Sequence, residues 1–152
     1  MIYPSDLMAS FRRILKLHES MLKEICSQYR LTLMEATIIS FLKNNPSRDT
    51  AGDIVEYRML SKGNVSQAVE SLIQKSLLKR APDTEDRRKI HLALLPEAQP
   101  ISEAIDRLQE GFLKELFWGF TEEELALYTN FNDRFVENTR RALERRKSDE
   151  SR

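Results

Sequence analysis

The sequence predicts a mainly α-helical fold with one small β-hairpin, and three observations carry that prediction. Apolar residues recur at spacings of three and four along most of the chain, the periodicity of helices that bury one stripe. The period changes once, between Leu77 and Leu94, to two short runs closed by a polar turn. Only 4 Gly and 5 Pro interrupt 152 residues, so long regular segments dominate.

Leu7, Phe11, Ile14, Leu15, Met21, Leu22 and Ile25 define a long first helix. Thr32 and Glu35 have the spacing of a capping box and open a second helix, reaching about Leu42. Asn44-Asn45-Pro46-Ser47 breaks it, and Thr50 with Asp53 opens a short third helix ending near Tyr57. Ser61 is placed to cap a fourth helix. Its stripe is Val65, Ala68, Val69, Leu72 and Ile73, which leaves Lys62, Asn64, Gln67, Glu70 and Ser71 outside. Leu77–Ala81 and Lys89–Leu94 read as strands joined by Pro-Asp-Thr-Glu-Asp. After Pro96 a helix runs to about Phe117 on Ile101, Ala104, Ile105, Leu108, Phe112 and Leu116. A last helix starts at the Thr121/Glu124 capping box and carries Leu125, Tyr128, Phe131 and Phe135, losing its pattern from Arg140 onward.

Two short helices joined by a tight turn, the second polar outside, then a hairpin: this is the order of a winged helix-turn-helix. The expected layout is one domain over 1–147, with the winged lobe at 31–95, flanking helices at 1–29 and 97–147, and a flexible tail at 148–152. Charged residues at 32% and hydrophobic ones at 41% exclude a disordered or collagen-like chain. No apolar run is long enough for a bilayer, and the N-terminus lacks a basic region followed by an apolar stretch, so a cytoplasmic protein without a membrane partner is expected. One cysteine, Cys26, precludes an internal disulfide, and the 2 histidines, His18 and His91, have no metal-ligand spacing. Cys26 reads as a structural thiol in preference to a redox sensor. No glycine-rich phosphate loop and no nucleophile with a histidine partner occurs, so neither a cofactor nor an enzymatic activity is expected.

The overall charge is zero, but its distribution is uneven. From Arg58 to His91 there are 8 basic residues against 4 acidic, or +4, leaving 16 basic and 20 acidic, or −4, elsewhere. A local positive surface on a neutral protein attracts phosphates. A helix fits the DNA major groove, where Asn and Gln amides match adenine with two hydrogen bonds, so Asn64 and Gln67 are candidate readers. Ser61, Gly63 and Ser66 are small enough for close backbone approach at a helix N-terminus, and Lys62 adds a point charge. Which of Asn64, Ser66 and Gln67 touches bases and which touches phosphates stays open. Arg80, Arg87, Arg88 and Lys89 cluster around the hairpin tip, and an arginine in a narrow minor groove reads its shape. The same surface suits an acidic protein partner, so the alternative is a winged-helix protein–protein interaction module without specific DNA binding.

Val65-Ser66-Gln67-Ala68-Val69-Glu70-Ser71-Leu72, then Leu77-Leu78-Lys79-Arg80, then Asp83-Thr84-Glu85-Asp86-Arg87-Arg88 resembles the MarR transcription regulators, and the likeness extends over nearly the whole chain. The resemblance implies a bacterial-type repressor that binds double-stranded DNA as a homodimer. In it, Arg88 enters the minor groove with Asp86 steadying it, and the helices at both chain ends interlock between subunits. Aromatic residues Phe11, Phe112, Phe117, Phe131 and Phe135 are the candidate dimer contacts. Many members take a small aromatic effector, for which His18 and neighbouring aromatics are the candidate lining; packing against the core is their other reading. Two places depart from the family pattern. Leu94-Leu95-Pro96-Glu97-Ala98 replaces Leu-Thr-Pro-Glu-Gly after the wing, and Arg30 stands where a helix-capping glycine is usual.

Overall fold

A computed structural model describes residues 1–152, which form six helices and one two-stranded sheet. They fall into two compact units, Met1–Leu113 and Lys114–Arg152.

In the first unit, α1 (Pro4–Tyr29) starts at a proline, whose missing N–H is no loss in a first helical turn. Only the C-terminal part of its apolar stripe is covered. Leu22 and Ile25 are buried, whereas Leu7, Phe11 and Leu15 stay exposed. The helix ends at Arg30, with φ 54° and ψ 50°. A side chain in that left-handed conformation costs about 1 to 2 kcal/mol that glycine would avoid. The Leu31 N–H returns to the Cys26 carbonyl at 2.9 Å and closes the turn regardless.

Helix α2 (Leu33–Asn44) is capped by Thr32, whose hydroxyl accepts the Glu35 N–H at 3.1 Å. The reciprocal half of the expected capping box does not form, because the Glu35 side chain turns inward to other partners. In α3 (Ala51–Arg58) the box is complete, Thr50 and Asp53 exchanging two hydrogen bonds of 3.1 Å. Met59, at φ 53°, makes the tight turn into α4 (Lys62–Gln74), which Ser61 caps by accepting the Asn64 N–H at 3.2 Å. Strands β1 (Leu78–Pro82) and β2 (Ile90–Leu94) pair antiparallel, with Arg80 opposite Leu92 and Ala81 opposite His91. Helix α5 (Gln99–Leu116) follows a 3-10 turn at Pro96–Ala98.

Ile38, Ile39, Ile54, Val65, Leu72, Leu78 and Ile105 form the centre of the core, one or more from each of α2, α3, α4, β1 and α5. Burial of each such side chain contributes about 1.5 to 3 kcal/mol. The stripe of α4 is therefore committed inward, and its opposite face is left to solvent. No helix is long and apolar enough to cross a membrane.

In the second unit, Gly119 at φ 81° makes the turn into α6 (Glu122–Glu150), opened by the complete Thr121/Glu124 box. The helix does not end where its apolar pattern ends. Arg140 bridges Glu137 at 2.9 Å and Glu144 at 2.7 Å, and Arg141 reaches Glu137 at 3.4 Å. These pairs, three and four residues apart, support helix without any packing, so the expected tail at 148–152 is helical through Glu150. No residue of α6 is buried.

Candidate nucleic-acid interface

The N-terminal half of α4 and the hairpin tip supply the exposed polar surface predicted from the sequence. Ser61, Lys62, Gly63, Asn64, Ser66 and Gln67 are all exposed, while Val65, Ala68 and Val69 between them are buried. Space around Gly63 is open: an added Cβ would meet nothing within 4 Å. The protein's own packing thus places no demand for glycine there. Helix α4 carries no acidic residue in its first turn, so the partial positive charge of its N-terminus is uncompensated.

Asp83 organises the wing tip. One of its carboxylate oxygens accepts the N–H groups of Glu85 at 3.1 Å and Asp86 at 2.8 Å. Asp86 repeats the motif by accepting the Arg88 N–H at 3.0 Å, and its oxygen lies 3.6 Å from Arg88 Nε. The Arg88 side chain is 94% exposed even so, and Arg87 and Lys89 are exposed beside it. Three backbone N–H groups donating to side-chain carboxylates therefore hold the turn while its cations extend into solvent.

Arg80 differs from the other wing cations. Its guanidinium makes a two-pronged contact with Glu70 of α4, at 2.9 and 3.3 Å. The hydrogen bonds and charge of Arg80 hold the Glu70 carboxyl below its ordinary range. Arg80 is thus engaged by the protein itself, tying β1 to α4, and is less exposed than Arg88, at 48% against 94%.

Two features that sequence reasoning missed hold this surface in place. The first is Glu35, 3% exposed, which accepts hydrogen bonds from Ser71 Oγ at 3.1 Å and Lys75 Nζ at 2.6 Å. Lys75 also donates to the Arg30 carbonyl at 2.9 Å, so one ammonium joins the end of α1, the start of α2 and the end of α4. Replacing Lys75 by methionine leaves a buried carboxylate without its cation. We expect a loss of about 2 to 3 kcal/mol in chemical denaturation, and a smaller loss for Glu35→Gln, whose amide still meets Ser71. The second is His91, held between Asp49 and Asp83. These partners lie 36 to 42 residues from Glu35 and His91 in sequence, apart from the near one, Asp83, so no local spacing announces them.

The five aromatic candidates divide into two groups. Phe11, Phe131 and Phe135 are exposed at 45%, 47% and 53%. Phe112 packs edge-on to His18 with centroids 5.0 Å apart, and Phe117 packs on Phe120 and Tyr128 at 5.5 and 4.9 Å. Burial, with the Arg58 charge, lowers the His18 pKa, so the imidazole facing Phe112 is neutral near pH 7. Cys26 is half-buried and its thiol is pushed up by burial and by Glu35, which favours the inert protonated form. No group of three or more His, Cys, Asp or Glu side chains is arranged to hold a metal ion.

Residues 31–89 match the MarR family. The chain is 25% identical over 124 residues to YsmB of Bacillus subtilis, an uncharacterized HTH-type transcriptional regulator, covering 82% of this chain and 84% of that one. Among solved structures, MepR from S. aureus in its DNA-binding conformation superposes with a TM-score of 0.78 at 19% identity, over 88% of this chain and 98% of that one. BpsR from Bordetella bronchiseptica, whose DNA binding is regulated by 6-hydroxynicotinic acid, superposes with a TM-score of 0.67 at 19% identity, over 86% and 98%. At these identities the solved structures establish the fold: mainly α, with a winged helix-turn-helix.

Proposed function

Because its residues 31–89 match the MarR family, we propose that this chain is a sequence-specific DNA-binding transcription regulator. It acts as a homodimeric repressor in the cytoplasm of a bacterial cell and has no enzymatic activity. The observation that carries the reading is the exposed polar start of α4, followed in the chain by a hairpin whose Arg87, Arg88 and Lys89 are exposed to solvent.

The N-terminal half of α4 enters the major groove, with Asn64 and Gln67 on base edges and Ser61, Lys62, Gly63 and Ser66 at the phosphates and the groove floor. Arg88 enters the adjacent minor groove, with Asp86 beside it limiting its swing, and Arg87 and Lys89 neutralise phosphates. Arg80 braces α4 through Glu70. A two-fold dimer presents two such surfaces, so the operator is near-palindromic. Helices α1, α5 and α6 form the dimer interface through Phe11, Phe112, Phe117, Phe131 and Phe135.

Release follows from a small ligand or signal that changes the separation of the two α4 helices. BpsR, with its 6-hydroxynicotinic acid, supports a small aromatic effector. The half-buried His18–Phe112 pair has the chemistry for one: a neutral imidazole and an aromatic face. Hydroxyl-radical footprinting on the DNA upstream of its own gene tests the reading. Two protected half-sites about one helical turn apart are expected. Uniform protection, or none, would favour a module that contacts only proteins.

A further inference from the structure

His91 sits in β2 between a buried Leu92 and the wing tip, and both of its ring nitrogens are occupied. Nδ1 lies 2.7 Å from Asp49 in the α2–α3 connection, and Nε2 lies 2.6 Å from Asp83 at the start of the hairpin turn. Asp49 also accepts the Leu92 N–H through its backbone carbonyl, at 2.7 Å. The other Asp83 oxygen holds the turn N–H groups of Glu85 and Asp86, and Asp86 holds that of Arg88. One continuous line of hydrogen bonds therefore runs from the helical lobe through Asp49, His91, Asp83 and Asp86 to Arg88.

Proton count decides how this line works. An ionised carboxylate only accepts, and a neutral imidazole has one N–H to give. Flanked by two carboxylates, a neutral ring donates to one and turns a lone pair toward the other; only the imidazolium serves both. The charged groups facing the ring are Asp49 and Asp83. Nearby, Lys89 and Arg48 act on Asp53 of α3, where hydrogen bonds to Thr50 and these two charges outweigh burial and lower the pKa.

We propose that the Asp49–His91–Asp83 bridge is a proton-dependent latch that positions the wing, fixing the tip and its arginines while His91 is charged and loosening them when it is neutral. The proposal rests on the reading of the wing as a DNA contact. The hydrogen bonds that Asp49 and Asp83 accept from the ring raise the His91 pKa above its ordinary 6.5. A group with a raised folded-state pKa contributes fully below about 6.5 and loses its contribution as pH climbs through the raised value. Wing order, and with it DNA affinity, therefore falls as pH climbs through that raised value. His91 is a positioning residue and need not touch DNA.

Two measurements on the full chain test this. The first follows the His91 ring by NMR with pH in the free protein, together with hydrogen exchange of the Glu85, Asp86 and Arg88 amides. The ring midpoint is expected above 6.5, with tip protection dropping roughly tenfold across it beyond the intrinsic pH effect. Asp49→Asn should move the midpoint down, and His91→Gln should abolish the step. A midpoint at or below 6.5, or a tip indifferent to the proton, would overturn the latch. The second measures affinity for the upstream DNA over the same range. A fall of roughly tenfold in the wild type and a flat, weak profile in His91→Gln support the proposal. A flat, tight wild-type profile refutes it. If the NMR step is present but specific and scrambled DNA bind alike at every pH, the DNA reading fails and the latch stands.

Discussion

Replacing Arg88 by alanine weakens operator binding by about 1 to 3 kcal/mol, roughly 5- to 150-fold, and leaves the fold intact. The two halves of that expectation have separate causes. Affinity is expected to fall because an arginine in a narrow minor groove meets a concentrated negative potential. Stability holds because the side chain is 94% exposed and buries nothing. Its turn is fixed by the Arg88 backbone N–H on Asp86, which alanine keeps. Arg80→Ala should behave differently, since it frees Glu70, an acidic side chain on the helix proposed to enter the major groove, and unties β1 from α4. Isothermal titration beside a thermal melt separates the cases: for Arg88→Ala the melt should be unchanged. An alanine variant with wild-type affinity would remove the wing from the interface.

Phe131→Glu or Phe135→Glu is expected to convert the proposed dimer to a monomer and to abolish tight operator binding. The physical reason lies in α6, a helix of Glu122–Glu150 with no buried residue that nonetheless exposes Leu127, Tyr128, Phe131, Phe135, Val136 and Leu143. Solvated helices do not accumulate large apolar side chains at helical spacing without a partner. The N-terminal part of α1 has the same character, with Leu7, Met8, Phe11 and Leu15 exposed. Burial of one Phe contributes about 1.5 to 3 kcal/mol, and a two-fold axis counts each substitution twice, so a dimer loses roughly 3 to 6 kcal/mol per change. Sedimentation velocity reads the assembly state, and the same samples titrated with operator read the affinity. A charged variant that remains dimeric would place the interface elsewhere.

The parts of this molecule that were legible in the sequence are those governed by local chemistry. Caps at Thr50, Ser61 and Thr121 were readable because the oxygen and the N–H it accepts stand three residues apart. The hairpin strands were placed within about a residue, since the change of period and the turn residues mark both ends. Where the reading failed, distance or competition explains it. Glu35 had the position of a capping carboxylate, but Lys75, 40 residues away, offers it a charge-assisted bond that the backbone cannot match. His91 has no metal-ligand spacing in the sequence, and its partners are carboxylates 42 and 8 residues away. The end of α6 was missed because periodicity reports burial, and that stretch is held by ion pairs instead.

The central claim is specific DNA recognition by α4 and the wing, and a gel shift with the upstream DNA against scrambled competitor, at 50 and 200 mM salt, tests it most directly. The account predicts retardation that scrambled DNA does not displace, with an affinity falling by about 10³ or more between the two salts for six or more phosphate contacts. Equal displacement by both competitors, or binding indifferent to salt, would contradict it.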